Sequence, residues 1–418
     1  MVADNAPQTK DEVLIHGRLY DVAGWRHPGG SVLKFYQGHG DASESFDEFH
    51  QKSTRAQKYL KSLKSREAPE SLTKPQTKEQ QRLAKLSAGY KALREDLIRE
   101  GWFKCNPLHT LYRCAEIFAM YALGIYMLVN TAWTVPALIV LGIVQGRCGW
   151  LMHEAGHISF TGNTRLDIRV QEFFYGVGCG MSGGWWRSQH NRHHATPQKL
   201  QHDVDLETLP LIAFNKAIAV IGRKNPFMRF WLPMQAYLFG PVTTSLVAHG
   251  WQLFLHPRFI MRKKLYMEAF WLAVRYALIF AIWNASTATA GQAFACYLAY
   301  VGIGGAYIFT NFALSHTHLD VVPKDEDRHW VEYAADYTIN ITPHFFTNWW
   351  MGYLNYQIEH HLFPTMPQYK FVALSPRIRK FFAEHGLKYD VRDYFAAMGD
   401  TFGNLNEVGA SVAKPMRA

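Results

Sequence analysis

Residues 133–157 read WTVPALIVLGIVQGRCGWLMHEAGH, an apolar run that ends directly in His153-Glu154-Ala155-Gly156-His157. A helix crosses a bilayer with about 20 mostly apolar residues. Residues 133–152 are such a stretch, and the runs 108–129, 231–255, 268–284 and 290–314 are further candidates. Loop charge decides among them. Arg258, Arg262, Lys263 and Lys264 make one loop strongly basic, which places it on the cytosolic side. The turn 130–132 and the stretch 284–292 carry no charge and suit the far side. A full crossing by 231–255 puts the basic loop on the wrong face, and Pro233, Gly240, Pro241, His249 and Gly250 interrupt that run. It is therefore expected to lie in the interface or dip into it. The pattern predicts an α-helical multi-span membrane protein with four spans in two hairpins, interfacial helices and both chain ends in the cytosol. Segments 153–230 and 315–418 then form a histidine-rich cap on the cytosolic face.

Composition narrows the class further. The chain has 418 residues, and 44 Lys+Arg against 34 Asp+Glu leave a charge of +10. Charged residues are only 19%, below the roughly 25% usual for soluble domains, which argues against disorder and against a nucleic-acid-binding tail. Five cysteines, none in a CxxC, exclude a disulfide scaffold and a cysteine zinc site. Residues 1–10 lack the apolar core of a cleavable signal and read as a disordered N-terminus that starts in the cytosol. Residues 11–73 are polar and read as a small α+β domain. Residues 74–104 read as a solvated helical linker. Residues 105–400 form the membrane domain, and 401–418 a tail.

Two more histidine boxes fall on the cytosolic face: His190-Asn191-Arg192-His193-His194 and Gln357-Ile358-Glu359-His360-His361. Residues three or four apart share a helix face, so each box can aim its imidazoles at one point. Seven histidines exceed the needs of one four-coordinate metal and suit two. Imidazole binds iron, zinc and copper alike, so ligand type alone does not choose the metal. The first box also reads HExxH, the zinc-protease pattern with Glu154 as general base. That reading leaves the other boxes without a use.

Near the N-terminus, Leu19-Tyr20-Asp21-Val22 precedes His27-Pro28-Gly29-Gly30, and Phe49-His50 follows. A heme held by two imidazoles needs one histidine from each side of a cleft, with glycines where backbone passes the porphyrin edge. Residues 11–70 resemble cytochrome b5, although only Arg26 separates Trp25 from His27. The resemblance implies heme b with His27 and His50 as its axial pair.

The three boxes, their order and the fused heme domain resemble the front-end fatty acyl desaturases over nearly the whole chain. In that family the third box begins with Gln, as Gln357 does here. The resemblance implies two non-heme irons held by His153, His157, His190, His193, His194, His360 and His361. It also implies a ligand at the cytosolic end of the last span, assigned to His316, with His318 and Asn311 as rivals. His202 suits either a supporting or a plain loop role, and Asp203 and Asp205 could orient ligating imidazoles. His16, His39, His109, His249, His256, His329, His344 and His385 read as ordinary surface or core residues. Unactivated methylenes require a strong oxidant, which O2 activated at two irons supplies, and each turnover imports two electrons. The family implies NADH-cytochrome b5 reductase as their source, a fatty acyl-CoA or acyl-phospholipid substrate, and the endoplasmic reticulum membrane. No GxGxxG follows a strand, so no nicotinamide or flavin site is expected here. Trp185-Trp186 and Trp349-Trp350 could line an acyl tunnel or sit at the membrane interface. The stretches Gln145–Trp150, Gly178–Gly183 and His202–Leu206 resemble microalgal and thraustochytrid Δ5 and Δ6 enzymes, Δ5 on C20 chains being favoured over Δ6 on C18. The alternatives are an acyl hydroxylase using the same irons and a membrane heme protein that only carries electrons.

Overall fold

His16 and Gly17 both take left-handed backbone, with φ of 49° and 73°. Two such residues make the tight turn whose twist suits a hairpin, and they join β1 (Glu12–Ile15) to β2 (Arg18–Asp21) with Val13 opposite Tyr20. Strand β3 (Ser65–Glu67) adds antiparallel to β2. Helices α1 (Ser43–His50) and α2 (Thr54–Ser62) close over this sheet on a core of Val13, Ile15, Val22 and Ala42. The computed structural model describes residues 6–413. Of the expected disordered N-terminus, residues 1–5 lie outside the described residues. Residues 8–9 are held in place: the Gln8 amide donates to Glu12 O at 3.1 Å, and the Thr9 N–H donates to the Glu12 carboxylate at 2.9 Å.

The linker is not a solvated helix. Helix α3 (Lys78–Arg99) begins in a reciprocal cap between Thr77 and Gln80. Leu83, Leu86, Tyr90, Leu93 and Leu97 follow at intervals of three and four, which is one continuous apolar stripe. Leu86, Tyr90 and Leu97 are fully buried with Ile358, Phe363, Leu374 and Phe382 of the cap. Of the charges between them, Lys85, Lys91 and Glu95 face water, whereas Arg94 turns to the buried Glu48.

Among the described residues, four helices are long and apolar enough to cross a membrane: α4 (Pro107–Asn130), α5 (Thr134–Gly156), α6 (Tyr266–Ala285) and α7 (Ala290–Ala313). Helix α5 is central. It is 72% buried, whereas α4, α6 and α7 are 17–22% buried and leave most of their surface for lipid. Its glycines admit close packing of α7, as small residues do between membrane helices. A Cβ on Gly146 would lie 2.2 Å from the Tyr307 ring. Arg147 of α5 pairs with Glu116 of α4 at 2.7 Å, and its guanidinium also covers the Trp349 ring.

Residues 235–263 form one helical run, with π-helical turns at Phe239–Thr243 and Trp251–Leu255. The run packs along α7, where the Thr244 carbonyl approaches Gly305. Its outer face exposes Tyr237, Leu246 and Phe254. The expected boundary at residue 400 falls inside a helix, α8 (Tyr394–Ala413), whose Leu405, Val408 and Val412 are buried. Residues 401–413 are thus packed structure, held by burial against Ala213, Ala219 and Leu232. Residues 414–418 of the expected tail lie outside the described residues.

Candidate metal centre and heme cleft

Each box sits where a helix end faces the same hollow. His153 lies on the last turn of α5 and His157 caps it. The second box occupies the end of the helix Gly183–Ala195, which the Ser182 side chain caps by accepting from Trp185 N. The Ser182 N–H in turn donates to His256 Nδ1 at 2.9 Å, so a histidine read as ordinary fixes the start of this helix. His316 follows α7 directly, and His360 and His361 lie on the short helix Gln357–Leu362.

These elements bring eight histidines together in two sets. Ligand atoms of His153, His157, His190, His194 and His360 all lie within 4.8 Å of one another, and so do those of His193, His316 and His361. His190 Nε2 is 3.0 Å from both His153 Nε2 and His194 Nε2. His157 Nε2 and both ring nitrogens of His360 and His361 are buried with no protein partner among the described residues. Orphaned buried nitrogens call for an explanation, and converging lone pairs repel unless a cation lies between them. Burial pulls His157 and His316 down to about 3, each helped by the neighbouring His193. It holds His190, His194, His360 and His361 well below the usual imidazole range, with adjacent histidines adding to the effect. Neutral imidazoles are what a metal requires.

His193 differs. Burial pulls it down, but Asp203 and Asp205 outweigh that and raise it to about 9. Its Nδ1 donates to Asp203 at 2.9 Å, which directs Nε2 into the hollow. His316 is fixed in the same way by Nδ1 donating to Tyr337 O at 3.0 Å. Gln357, also buried, stands beside His316.

The remaining candidates lie elsewhere. The Asn311 carboxamide is held between Tyr307 O and the Tyr394 hydroxyl, at 2.7 and 3.1 Å. His318 contacts Arg392 and Thr401. His202 stacks flat on Phe35 of the heme domain at 4.4 Å, so it meets the other domain and not the metal hollow. Glu154 is buried 3.6 Å from Arg113, and the Gln368 N–H donates to it at 3.2 Å. Gln368 also contacts His153 Nδ1 at 3.0 Å, a partner the sequence did not mark.

A cavity of about 590 Å³ leads from this hollow between the spans. Trp185, Phe239, Trp251, Gly304 and Phe309 are among its lining residues, and Trp186 stacks on His190 at its inner end. The π-helical turns each contribute to its wall, as such turns often do at functional sites. Trp349 and Trp350 instead pack at the ends of α4, α5 and α7, where Trp150 Nε1 donates to Trp350 O at 3.1 Å.

In the N-terminal domain the rings of His27 and His50 face each other edge to face, centres 5.8 Å apart, in a cleft of about 930 Å³. His50 Nδ1 donates to Phe46 O at 2.9 Å, leaving Nε2 for the cleft. Burial pulls both rings down, His27 to about 4. Two neutral imidazoles across an apolar slot fit a heme iron. The domain is docked on the cap. Lys52 Nζ donates to Ile158 O and Thr365 O at 3.0 and 2.9 Å. Glu48, fully buried, accepts from Tyr90 and Arg94 of α3. Phe49 sets its ring edge-on to His194, centres 6.4 Å apart. His39 and His329, read as ordinary residues, pair across the same junction with Asp327 and Glu44.

Paired histidine clusters at the head of an apolar cavity, beside a docked heme-binding domain, define a membrane oxidoreductase that carries its own electron donor. Comparison with known proteins refines that class. The fatty acid desaturase family matches residues 130–393, and the cytochrome b5-like heme/steroid binding domain matches residues 5–68. The chain belongs to the fatty acid desaturase family, with a cytochrome b5 domain fused at its N-terminus. It is 50% identical over 417 residues to an acyl-lipid (8-3)-desaturase of Rebecca salina, covering 99% of this chain and 95% of that protein. It is 46% identical over 418 residues to a protein of the same name from Thraustochytrium sp, again covering 99% and 95%. Fatty acid desaturase 3 of Bos taurus is 30% identical over 422 residues, 95% of this chain and 90% of that one. Heme and a pair of non-heme irons are the cofactors that this family and these histidine sets fit.

Proposed function

We propose that this chain is a front-end desaturase that places a double bond between an existing one and the carboxyl end of a polyunsaturated acyl chain, at Δ5 of C20 substrates in preference to Δ6 of C18 substrates. The observation that carries the reading is the meeting of eight histidines with an apolar cavity between the spans. His153, His157, His190, His194 and His360 hold one iron, and His193, His316 and His361 the other, with Gln357 beside the second. His27 and His50 ligate the heme. Iron supplies an oxidant made from O2, and the heme supplies electrons received from NADH-cytochrome b5 reductase. The protein's own work is positional. Asp203 and the Tyr337 carbonyl fix two imidazoles in the ligating tautomer, and the tryptophan-rich wall holds the methylenes and keeps water away. Phe49, the residue next to His50, sets its ring edge-on to the metal-side His194. Both termini face the cytosol, and the membrane is that of the endoplasmic reticulum. The relatives named acyl-lipid (8-3)-desaturase support the Δ5 choice and a lipid-bound acyl chain over a coenzyme A ester.

Expression in yeast fed defined C18 and C20 polyunsaturated acids, with gas chromatography of the lipids, tests this. The expected result is a Δ5 product from C20 acids, appearing first in phospholipid. A Δ6 product rejects the regiochemistry, a hydroxylated product rejects desaturation, and an unchanged profile rejects the enzyme.

A further inference from the structure

The heme cleft does not end at the surface of its own domain. The same cavity that holds His27 and His50 continues onto the membrane domain, where Arg187, Asn191, Arg192 and Lys263 line it. Arg187 and Arg192 belong to the helix that carries the second box, and Arg192 lines the metal-side cavity as well. Lys263 comes from the end of the helix His256–Lys263. Three cations thus stand at one cleft mouth, and none is ion-paired among the described residues. Arg187 donates only to the Gln171 carboxamide. Arg192 Nη2 donates to His202 O at 3.2 Å, and its buried Nε has no partner among the described residues. The nearest acids are committed elsewhere: Glu172 pairs with Arg169, and Glu268 accepts from Ser182 and the Gly184 amide. Arg187 and Arg192 are half-buried and Lys263 is exposed, so the rim is a positively charged surface within reach of an incoming anion, with Glu268 and Glu172 acting on Arg187 only through space.

We infer that Arg187, Arg192 and Lys263 form a carboxylate-receiving rim for the two propionates of heme, so that the membrane domain completes the heme site. A heme between His27 and His50 is an apolar plate with two carboxylates on one edge, and the apolar end of the cavity lies inside the small domain. Its charged edge therefore faces the three cations. Arginine guanidinium groups suit carboxylates in paired geometry. Docking then joins heme retention to electron delivery, because two of the three residues that hold the propionates, Arg187 and Arg192, lie on the same helix as His190, His193 and His194.

The inference rests on heme occupying the His27–His50 cleft. The test uses the full-length holoprotein in detergent without substrate. Heme transfer to excess apomyoglobin is followed by absorbance, and the midpoint potential by spectroelectrochemistry. Lys263 is exposed, so Lys263→Glu leaves the fold intact, and Arg187→Gln is made beside it with non-heme iron content as the check. Both variants should lose heme several-fold faster, and the potential should fall, since a cation beside the propionates favours the reduced heme. Lys263→Arg should match the parent. Unchanged heme release and potential together with a raised KM for acyl lipid would assign the rim to an anionic substrate headgroup and overturn the inference. No change in any of these measures also overturns it. Absence of a bis-imidazole spectrum in the parent protein would instead overturn the His27–His50 reading, and the rim with it.

Discussion

At His193 a buried imidazole is held by two carboxylates, and the pairing does what a metal site asks of it: Nδ1 is occupied and Nε2 is free. Asp203→Asn keeps the shape but loses the charge and the fixed tautomer. Outer partners of ligating histidines typically contribute about 10–100-fold in metal affinity. Non-heme iron per heme, measured by elemental analysis, should fall in this variant while heme content stays the same. His27→Ala should give the converse result, heme lost from the absorbance spectrum with both irons retained. A variant that still bound heme normally would refute the axial assignment. At this scale the sequence is readable where ligands lie four apart, as in His153 and His157 or His190 and His194, which share one set. The expectation that each box aims all its imidazoles at one point fails, because His193 and His361 turn to the other set. The supports of His316 and His153 are less readable, since the Tyr337 carbonyl and Gln368 are distant in the chain and of types that carry no ligand signature.

The elements show the same division. Spans were legible as apolar runs of about 20 residues paired across uncharged turns. Helix α3 carried a legible stripe at Leu83, Leu86, Tyr90, Leu93 and Leu97, but Lys85, Lys91, Arg94, Glu95 and Asp96 between those positions imitate a solvated helix. Leu97→Ala should cost about 2–5 kcal/mol, the usual effect of emptying a closed core site. A linker without packing partners would tolerate it, and thermal unfolding in detergent distinguishes the two. The close crossing of α5 and α7 makes a sharper test. Gly146→Val drives a branched side chain into the Tyr307 ring, an overpacking expected to cost about 1–3 kcal/mol. Because α5 ends in His153, the same variant should also loosen iron binding, whereas a change in stability alone would show that the two ends of the helix are independent. The π-helical turns around the cavity had no periodicity to reveal them.

For the whole molecule, the eight histidines act as one unit drawn from four separate segments. Chelating the irons leaves their nitrogens buried without partners, so a metal-depleted sample should melt at a lower temperature than the loaded one, by the linkage that stabilises any bound native state. Equal melting temperatures would mean that the hollow is held by packing alone. Such convergence was only partly legible: spacing placed every box on one face, but the grouping into sets of five and three depends on how the helix ends meet.

The pair between Glu116 and Arg147 bears on how the chain enters lipid at all. A lone arginine in the middle of an apolar segment opposes partition into hydrocarbon, yet α5 carries one beside Gln145. Because its counter-ion lies on the preceding helix, the first hairpin can be threaded as a neutral unit once the short turn has formed, with neither charge crossing unaccompanied.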